Sequence, residues 1–263
     1  MNTITDISLW DLAFGFIILI IPVSFFLYYR IKLIKDIFIA VIRMVIQLGL
    51  IALYLEWIFN LNSAWLNSLW VLFMIAVGVH TSINRIGLNW KYFVFPLFIA
   101  GLTSVIILDV FFLGFVLKLD YLFDARYFIP ITGMILGNSL NHNIVGLSSY
   151  LKGLSEKSDL YYFLLTNTSN TKLALRPFVG DSIKSGLNPL IGTISVIGLI
   201  SLPGMMTGQI LGGSSPVIAI KYQIMIMLAI IAGCSINLFL SIIFSNRFVF
   251  DGYGKLKMNM LQN

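Results

Sequence analysis

Residues 9–29 read LWDLAFGFIILIIPVSFFLYY, with Asp11 as the one charged side chain. A helix needs about 20 apolar residues to cross roughly 30 Å of hydrocarbon, and this stretch supplies them. It is longer than a signal-peptide core and has neither a basic leader nor a small-residue cleavage site. We therefore read it as a retained first span. Further apolar runs fall at 37–59, 65–83, 92–117, 127–149, 188–210 and 217–244. Lipid offers no partner to an open strand, so each run is expected to be helical.

The bulk composition agrees. The chain has 263 residues, 59% hydrophobic and 11% charged, with a mean hydropathy of +0.94. A soluble domain carries about 25% charged residues. The expected fold is therefore an all-α, polytopic membrane protein of about seven transmembrane helices. It reads as a single transmembrane domain over 1–263. The net charge is +6, but no basic stripe is interleaved with stacking aromatics, so nucleic acid is not an expected partner. The one cysteine, Cys234, excludes an internal disulfide and a cysteine metal cluster.

The basic residues set the orientation. Arg30, Lys32 and Lys35 follow the first run, and Arg85 and Lys91 follow the third. Lys152, Lys157, Lys172, Arg176 and Lys184 lie between the fifth and sixth, and Arg247, Lys255 and Lys257 follow the seventh. Seven alternating helices put all of these on one side, so the N-terminus is expected outside and the C-terminus in the cytoplasm. Residues 150–187 then form a long cytoplasmic segment. Its regular apolar positions suggest a structured element; an amphipathic solvated connector is the alternative.

Two runs carry groups that hydrocarbon disfavours. The fifth contains GMILGNSLNHNIVG (133–146). Gly133 and Gly137 form a small-residue pair for close helix approach. Met134, Asn138 and His142 follow one another at four-residue spacing and so share a face. Such groups are expected to face protein or a water-filled cavity. Interhelical hydrogen bonding, a transport pathway and a histidine metal ligand are the three readings.

The sixth run ends in SLPGMMTGQILGG (201–213). Gly204, Gly208 and Gly212 make a small ridge, with Met205 and Gln209 beside it and Met206 next in sequence. Pro203 removes a backbone donor and disfavours helix at Leu202. The stretch reads as a kinked, protein-shielded hinge beside a passage, or as a plain packing kink. Thioethers suit soft ions but more often fill irregular gaps.

In the second run Arg43 and Gln47 are four apart near the cytoplasmic side, where Arg43 can snorkel or hold a gate by pairing with Asp36 or Asp181. Asp109 is the one acid well inside a span. No Walker A loop, HExxH or GxSxG motif is present. The chain is therefore not expected to be an enzyme, and any ATP would be bound by another subunit.

The stretches GMILGN (133–138), GLISLPGMMTGQILGG (198–213) and SPVIAIKYQIMIM (215–227) resemble the signature of the FetB-type permeases of ABC transporters, an iron-export family. Arg43, Gln47 and Leu48 match its N-terminal half. The similarity covers nearly the whole chain, and the family has bacterial members and plant relatives linked to aluminium tolerance. The resemblance implies a bacterial inner-membrane permease that pairs as a homodimer and works with a separate ATP-binding cassette ATPase subunit, binding no cofactor itself.

The resemblance also implies roles. Gly133, Met134, Gly137 and Asn138 correspond to the family's GM..GN element. Leu202, Pro203, Gly204, Met205, Met206, Gly208, Gln209 and Ile210 correspond to its LPGMM element, and Pro216, Ala219, Tyr222 and Gln223 to the next. The family's LGATP..A coupling motif is replaced here by Asn167-Thr168-Ser169-Asn170-Thr171-Lys172-Leu173-Ala174, while Asp181 and Pro189 match.

The expected mechanism is alternating access, with Met134, Asn138, His142, Met205, Met206 and Gln209 along the substrate path. A small solute or metal chelate is an alternative cargo. A non-transporting sensor or scaffold, or a secondary transporter using Asp109, is an alternative class.

Overall fold

The computed structural model describes residues 7–257, and among them the regular structure is helical. They form two compact units: residues 7–61 with 211–214, and residues 62–210 with 215–257.

The first unit holds α1 (Leu9–Tyr28) and α2 (Ile34–Leu61). Ser8 caps α1 by accepting the Asp11 amide at 3.2 Å, satisfying one of the helix's orphan donors. The helix tightens to a 3₁₀ turn over Phe16–Leu19. In α2 only Ile58 is buried. Helices apolar all round and yet exposed belong in lipid.

The second unit is a bundle of α3 (Ala64–Ile86), α4 (Trp90–Val116), α5 (Ala125–Glu156), α6 (Ser158–Thr168), α7 (Thr171–Val196), α8 (Gly204–Leu211, its last residue with the first unit) and α9 (Pro216–Val249). Local chemistry sets their ends. Asn89, Asp124, Asn170 and Ser215 accept first-turn amides of α4, α5, α7 and α9. Pro216 sits in the first turn of α9, where a missing N–H costs nothing. Gly87, at φ +77°, closes α3, a conformation that glycine adopts freely.

Helix α5 is central, packing against α3, α4, α7 and α9. The buried faces follow helical spacing: Asn67, Val71, Ile75, Val79 and Ile83 on α3, and Ile226, Ile230, Gly233, Asn237 and Ser241 on α9.

Helices α1, α2, α3, α4 and α9 are long and apolar enough to cross a membrane. Helices α5 and α7 have 32 and 26 residues, with their apolar character diluted by polar groups, buried at Thr132, Ser139 and Asn143 on α5 and mostly exposed on α7. The protein is an all-α, polytopic membrane protein.

Six of the seven expected runs match α1–α5 and α9, two of them overrunning the helix end by one residue. The sixth does not form one helix over 188–210. Helix α7 begins at Asn170's cap and ends at Val196; residues 197–203 are non-helical, and α8 follows. Gly198 turns at φ +84° and donates to the Ser201 carbonyl at 3.0 Å. Pro203 has no N–H with which to continue the ladder. The expected kink is therefore a break, and the expected 150–187 segment is the end of α5, all of α6 and most of α7.

The chain's end returns to this region. Phe250 pairs with Leu256 in an isolated bridge. Tyr161 on α6 donates to the Gly254 carbonyl at 2.8 Å, and the Leu256 amide donates to Tyr162 Oη at 3.2 Å.

Candidate functional site

Polar side chains meet where α5 crosses α9. Asn143 Nδ2 donates to Asn237 Oδ1 and to Ser241 Oγ, both at 2.8 Å. Ser241 Oγ in turn donates to Asn237 Oδ1 at 3.2 Å. The three groups close a ring in the bundle interior, all under 10% exposed. Asn143 Oδ1 is enclosed with no partner, which costs about 1–3 kcal/mol unless water or a ligand reaches it.

Beside this ring lies a cavity of about 210 Å³. Its walls include Gly133, Gly137 and Asn143 from α5, Gly78 and Ser82 from α3, Gly101 from α4 and Asn237 from α9. Missing side chains make the space: a Cβ at Gly137 or Gly78 would meet nothing within 4 Å, and one at Gly133 only the Met74 sulfur at 3.8 Å. So Gly133 and Gly137 stand at a cavity wall. The closest helix approaches are at other glycines. A Cβ on Gly186 would sit 3.0 Å from the His142 carbonyl oxygen, and one on Gly146 2.6 Å from Leu238 Cδ2.

The second face of α5 behaves differently at each expected position. Asn138 Nδ2 donates to the Met134 carbonyl of its own helix at 2.9 Å. His142 Nδ1 lies 2.7 Å from the Gly186 carbonyl oxygen on α7. A carbonyl only accepts, so Nδ1 carries the proton, and Nε2 is the nitrogen left for other contacts. Ser182 Oγ donates to the Gly146 carbonyl at 2.7 Å, and Ser149 to Ser185 at 3.2 Å. His142 is thus one tooth in a polar zipper joining α5 to α7.

The methionines converge from three helices. Met134 of α5, Met205 of α8 and Met227 of α9 pack against one cluster of Leu190, Ile226, Ile230 and Cys234. Met206 is buried at 8% exposure. Gln209 Oε1 and Gln223 Oε1 are enclosed without a partner. Along the buried face of α9 run Gln223, Cys234, Asn237, Ser241 and Ser245. From Gln223 to Ser245 the helix rises about 33 Å, the thickness of the hydrocarbon.

The remaining expected residues are on other elements. Arg43 and Gln47 are exposed on α2. Asn167, Thr168, Ser169, Asn170, Thr171 and Lys172 make an exposed corner between α6 and α7, turned by Ser169 at φ +49°. Asp181 joins Lys152, Glu156 and Lys157 around a groove of about 260 Å³. Gly204, Gly208 and Gly212 are exposed, and nothing lies within 4 Å of a Cβ at Gly204 or Gly208. The expected shielded ridge is therefore open in this chain. Helix α8 is short, turns Met206 inward and leaves its glycine face outside, while Gly212 lies beyond its end.

Asn237, Ser241 and the tight glycines Gly146, Gly186 and Gly233 escaped the sequence reading. Their signal was a four-residue repeat of small polar residues, 237–241–245, inside a strongly apolar run. Among the described residues no group of three or more His, Cys, Asp or Glu gathers to hold a metal. Around the ring and the methionine cluster the donors are amides, hydroxyls and sulfurs.

A multi-pass bundle with an amide-lined interior and this signature of glycines and methionines has a counterpart among known families. The profile of UPF0014, described as an uncharacterised protein family, matches residues 9–250. The chain belongs to the UPF0014 family.

The UPF0014 membrane protein YjkA of Bacillus subtilis is 29% identical over 86% of this chain and 88% of its own length. The Escherichia coli K12 protein named "Probable iron export permease protein FetB" is 30% identical over 89% of this chain and 88% of its own. Protein ALUMINUM SENSITIVE 3 of Arabidopsis thaliana is 31% identical over 75% and 71%. No solved structure matches. This UPF0014 chain is accordingly a multi-pass cell-membrane protein.

Proposed function

We propose that this chain is the membrane-spanning permease of an ABC transporter, and that it exports a metal ion with energy from a separate ATPase subunit. One observation carries the reading: Met134, Met205 and Met227 come from three helices to one cluster with Cys234, in a bundle that also encloses unpartnered amide oxygens at Asn143, Gln209 and Gln223. Neutral sulfur and amide donors hold a cation weakly, and a conduit needs sites that release as readily as they bind. The name of the E. coli relative supports iron as cargo. The amide-bearing cavity of about 210 Å³ favours, as second reading, a small amphipathic solute or metal chelate.

In this mechanism two permeases pair with two ATPases, and the N-terminus lies outside. The exposed corner Asn167–Lys172 meets the ATPase at the cytoplasmic face. Closure of the ATPases pushes α6 and the start of α7, and the polar zipper passes the tilt to α5. The break at 197–203 absorbs the bend, with Pro203 and the open glycines of α8 free to move. Arg43 and Gln47 guard the cytoplasmic side.

The test is ATPase activity of the copurified complex in proteoliposomes, with iron(II) and copper(I) added in turn. Metal-stimulated hydrolysis is expected, with at least about a tenfold weaker metal response, ~1.4 kcal/mol, in Met134→Leu plus Met205→Leu. An unchanged metal response in that variant removes the methionines from the path. Failure to copurify with any ATPase removes the transporter reading.

A further inference from the structure

Asp109 has no place in the path just described, yet it is a buried acid in a membrane-spanning helix, a costly group there. It ends the α-helical part of α4 and is 6% exposed. Its Oδ2 accepts from Thr132 Oγ1 of α5 at 2.7 Å. Its Oδ1 is enclosed and has no partner. Among the described residues Thr132 supplies the one side-chain hydrogen bond to this carboxyl, and no Lys, Arg or His forms an ion pair with it. The backbone then widens to a π-helix over Val110–Val116, a rare local geometry that is frequent at functional sites.

Asp109 lines a cavity of about 290 Å³ that is separate from the Asn143 cavity. Apart from Asp109 and Ser68, its walls are Val, Leu, Ile and Phe side chains. Phe123 and Phe128 are both among them, with ring centroids 5.5 Å apart and planes at 71°. The floor is buried at Val71, Val105, Leu113 and Phe128, while Leu72, Ile106, Val110 and Phe123 are exposed. The mouth is therefore made of apolar residues on the surface of a membrane-spanning unit.

A lone carboxyl in hydrocarbon either takes up a proton or meets a positive charge, and only the second gives this cavity a ligand. A divalent metal is a poor match, because a hard cation requires six or more oxygens and this cavity offers two side chains with any. A hydrated ion is a poor match for walls that cannot replace its water. A monocation with an apolar body matches each feature: the carboxylate meets the charge, aromatic faces attract an alkylated ammonium, and aliphatic walls take the rest. We propose that this cavity is a binding site for lipophilic organic monocations, reached from the bilayer and anchored by Asp109, with Thr132 as the positioning residue that leaves Oδ1 free. This goes beyond the metal-export reading and needs no ATPase.

The experiment uses the purified full chain in lipid nanodiscs and measures saturable binding of benzyltrimethylammonium, with its uncharged carbon isostere neopentylbenzene as competitor. Saturable binding is expected, with at least about tenfold loss in Asp109→Asn and about tenfold or more weaker competition by the isostere. Ile106→Trp changes an exposed rim position, keeps the carboxylate and should also block binding by closing the mouth. Thermal unfolding of each variant separates loss of the site from loss of the fold. Absence of saturable binding to the wild-type chain, equal binding by folded Asp109→Asn, or equal competition by neopentylbenzene each overturns the proposal.

Discussion

At the scale of single residues, glycine does two opposite jobs in this bundle. Gly186 lies where α7 crosses α5, and a Cβ there would press on the backbone oxygen of His142 at 3.0 Å. Backbone cannot step aside as a side chain can. Gly186→Ala is therefore expected to cost about 1–3 kcal/mol, read as a lower midpoint in detergent-solubilised unfolding. Gly208→Ala meets open space and should be neutral or stabilising by about 0.4–1 kcal/mol, because alanine restricts the unfolded chain.

The amide ring gives a second residue-scale expectation. Asn143→Ala takes a donor from two partners at once, leaving Asn237 and Ser241 only each other, so a double-mutant cycle with Asn237→Ala should return a coupling of about 0.6–2 kcal/mol. Additive losses would mean that the ring contributes nothing beyond its separate parts. Four-residue spacing had grouped Met134, Asn138 and His142 on one face. The fold gives them three different partners: a sulfur cluster, their own helix and the α7 backbone. Spacing defines a face but does not say what stands opposite.

At the scale of elements, the corner between α6 and α7 depends on Asn170, whose side chain accepts from the Lys172 and Leu173 amides at 2.9 and 3.4 Å. Asn170→Ala should weaken the start of α7 by about 0.5–2 kcal/mol, seen as faster hydrogen exchange at those two amides.

The C-terminal turn offers a pH test. Asp251 accepts from the Lys255 amide at 2.8 Å and the Tyr253 amide at 2.9 Å. Those amides, helped by the nearby Lys255 and Lys257 charges, hold its carboxyl below the ordinary value of 3.8. A depressed carboxyl stabilises the turn above its unfolded value and loses that contribution as pH falls through the folded one. Docking of the tail on α6 should thus be constant from neutral pH down to about 4 and weaken only in stronger acid. A site-specific NMR signal from labelled Tyr161 can follow it. Weakening between pH 6 and 7 would assign the docking to another group. Burial raises the Tyr161 phenol, so it remains a neutral donor to Gly254 across that range.

The element boundaries were legible where chemistry is local. Asn170, Asp124, Ser215 and Gly87 announce helix ends by themselves. The polar cluster at 166–171 offers a turn or helix cap, but the single helix that follows it was not legible, because it holds Pro177 and Pro189. Packing of α7 against α5 offsets the lost backbone bonds. The helix ends at Val196, where Ile197 turns extended and Gly198 takes φ +84°, and Pro203 comes only at the entry to α8.

At the scale of the whole molecule, the proposed transporter predicts a partner surface. Phe163 and Leu173 flank the corner at 64% and 50% exposure, apolar side chains in a polar, lysine-bearing setting. Leu173→Asp should abolish copurification with the ATPase while leaving the unfolding midpoint of the chain unchanged. Retained copurification would place the coupling surface elsewhere.

Sequence alone determined the solvent and, through it, the secondary structure. Apolar runs near 20 residues require lipid, and lipid requires every backbone group to be satisfied within its own segment, which leaves the helix. Only the tertiary structure decided which polar groups meet. Asn143 and Asn237 are 94 positions apart, and Asp109 and Thr132 are 23 apart. Their pairing follows from how whole helices pack, since a helical repeat fixes direction around one axis and carries no information about the neighbouring one.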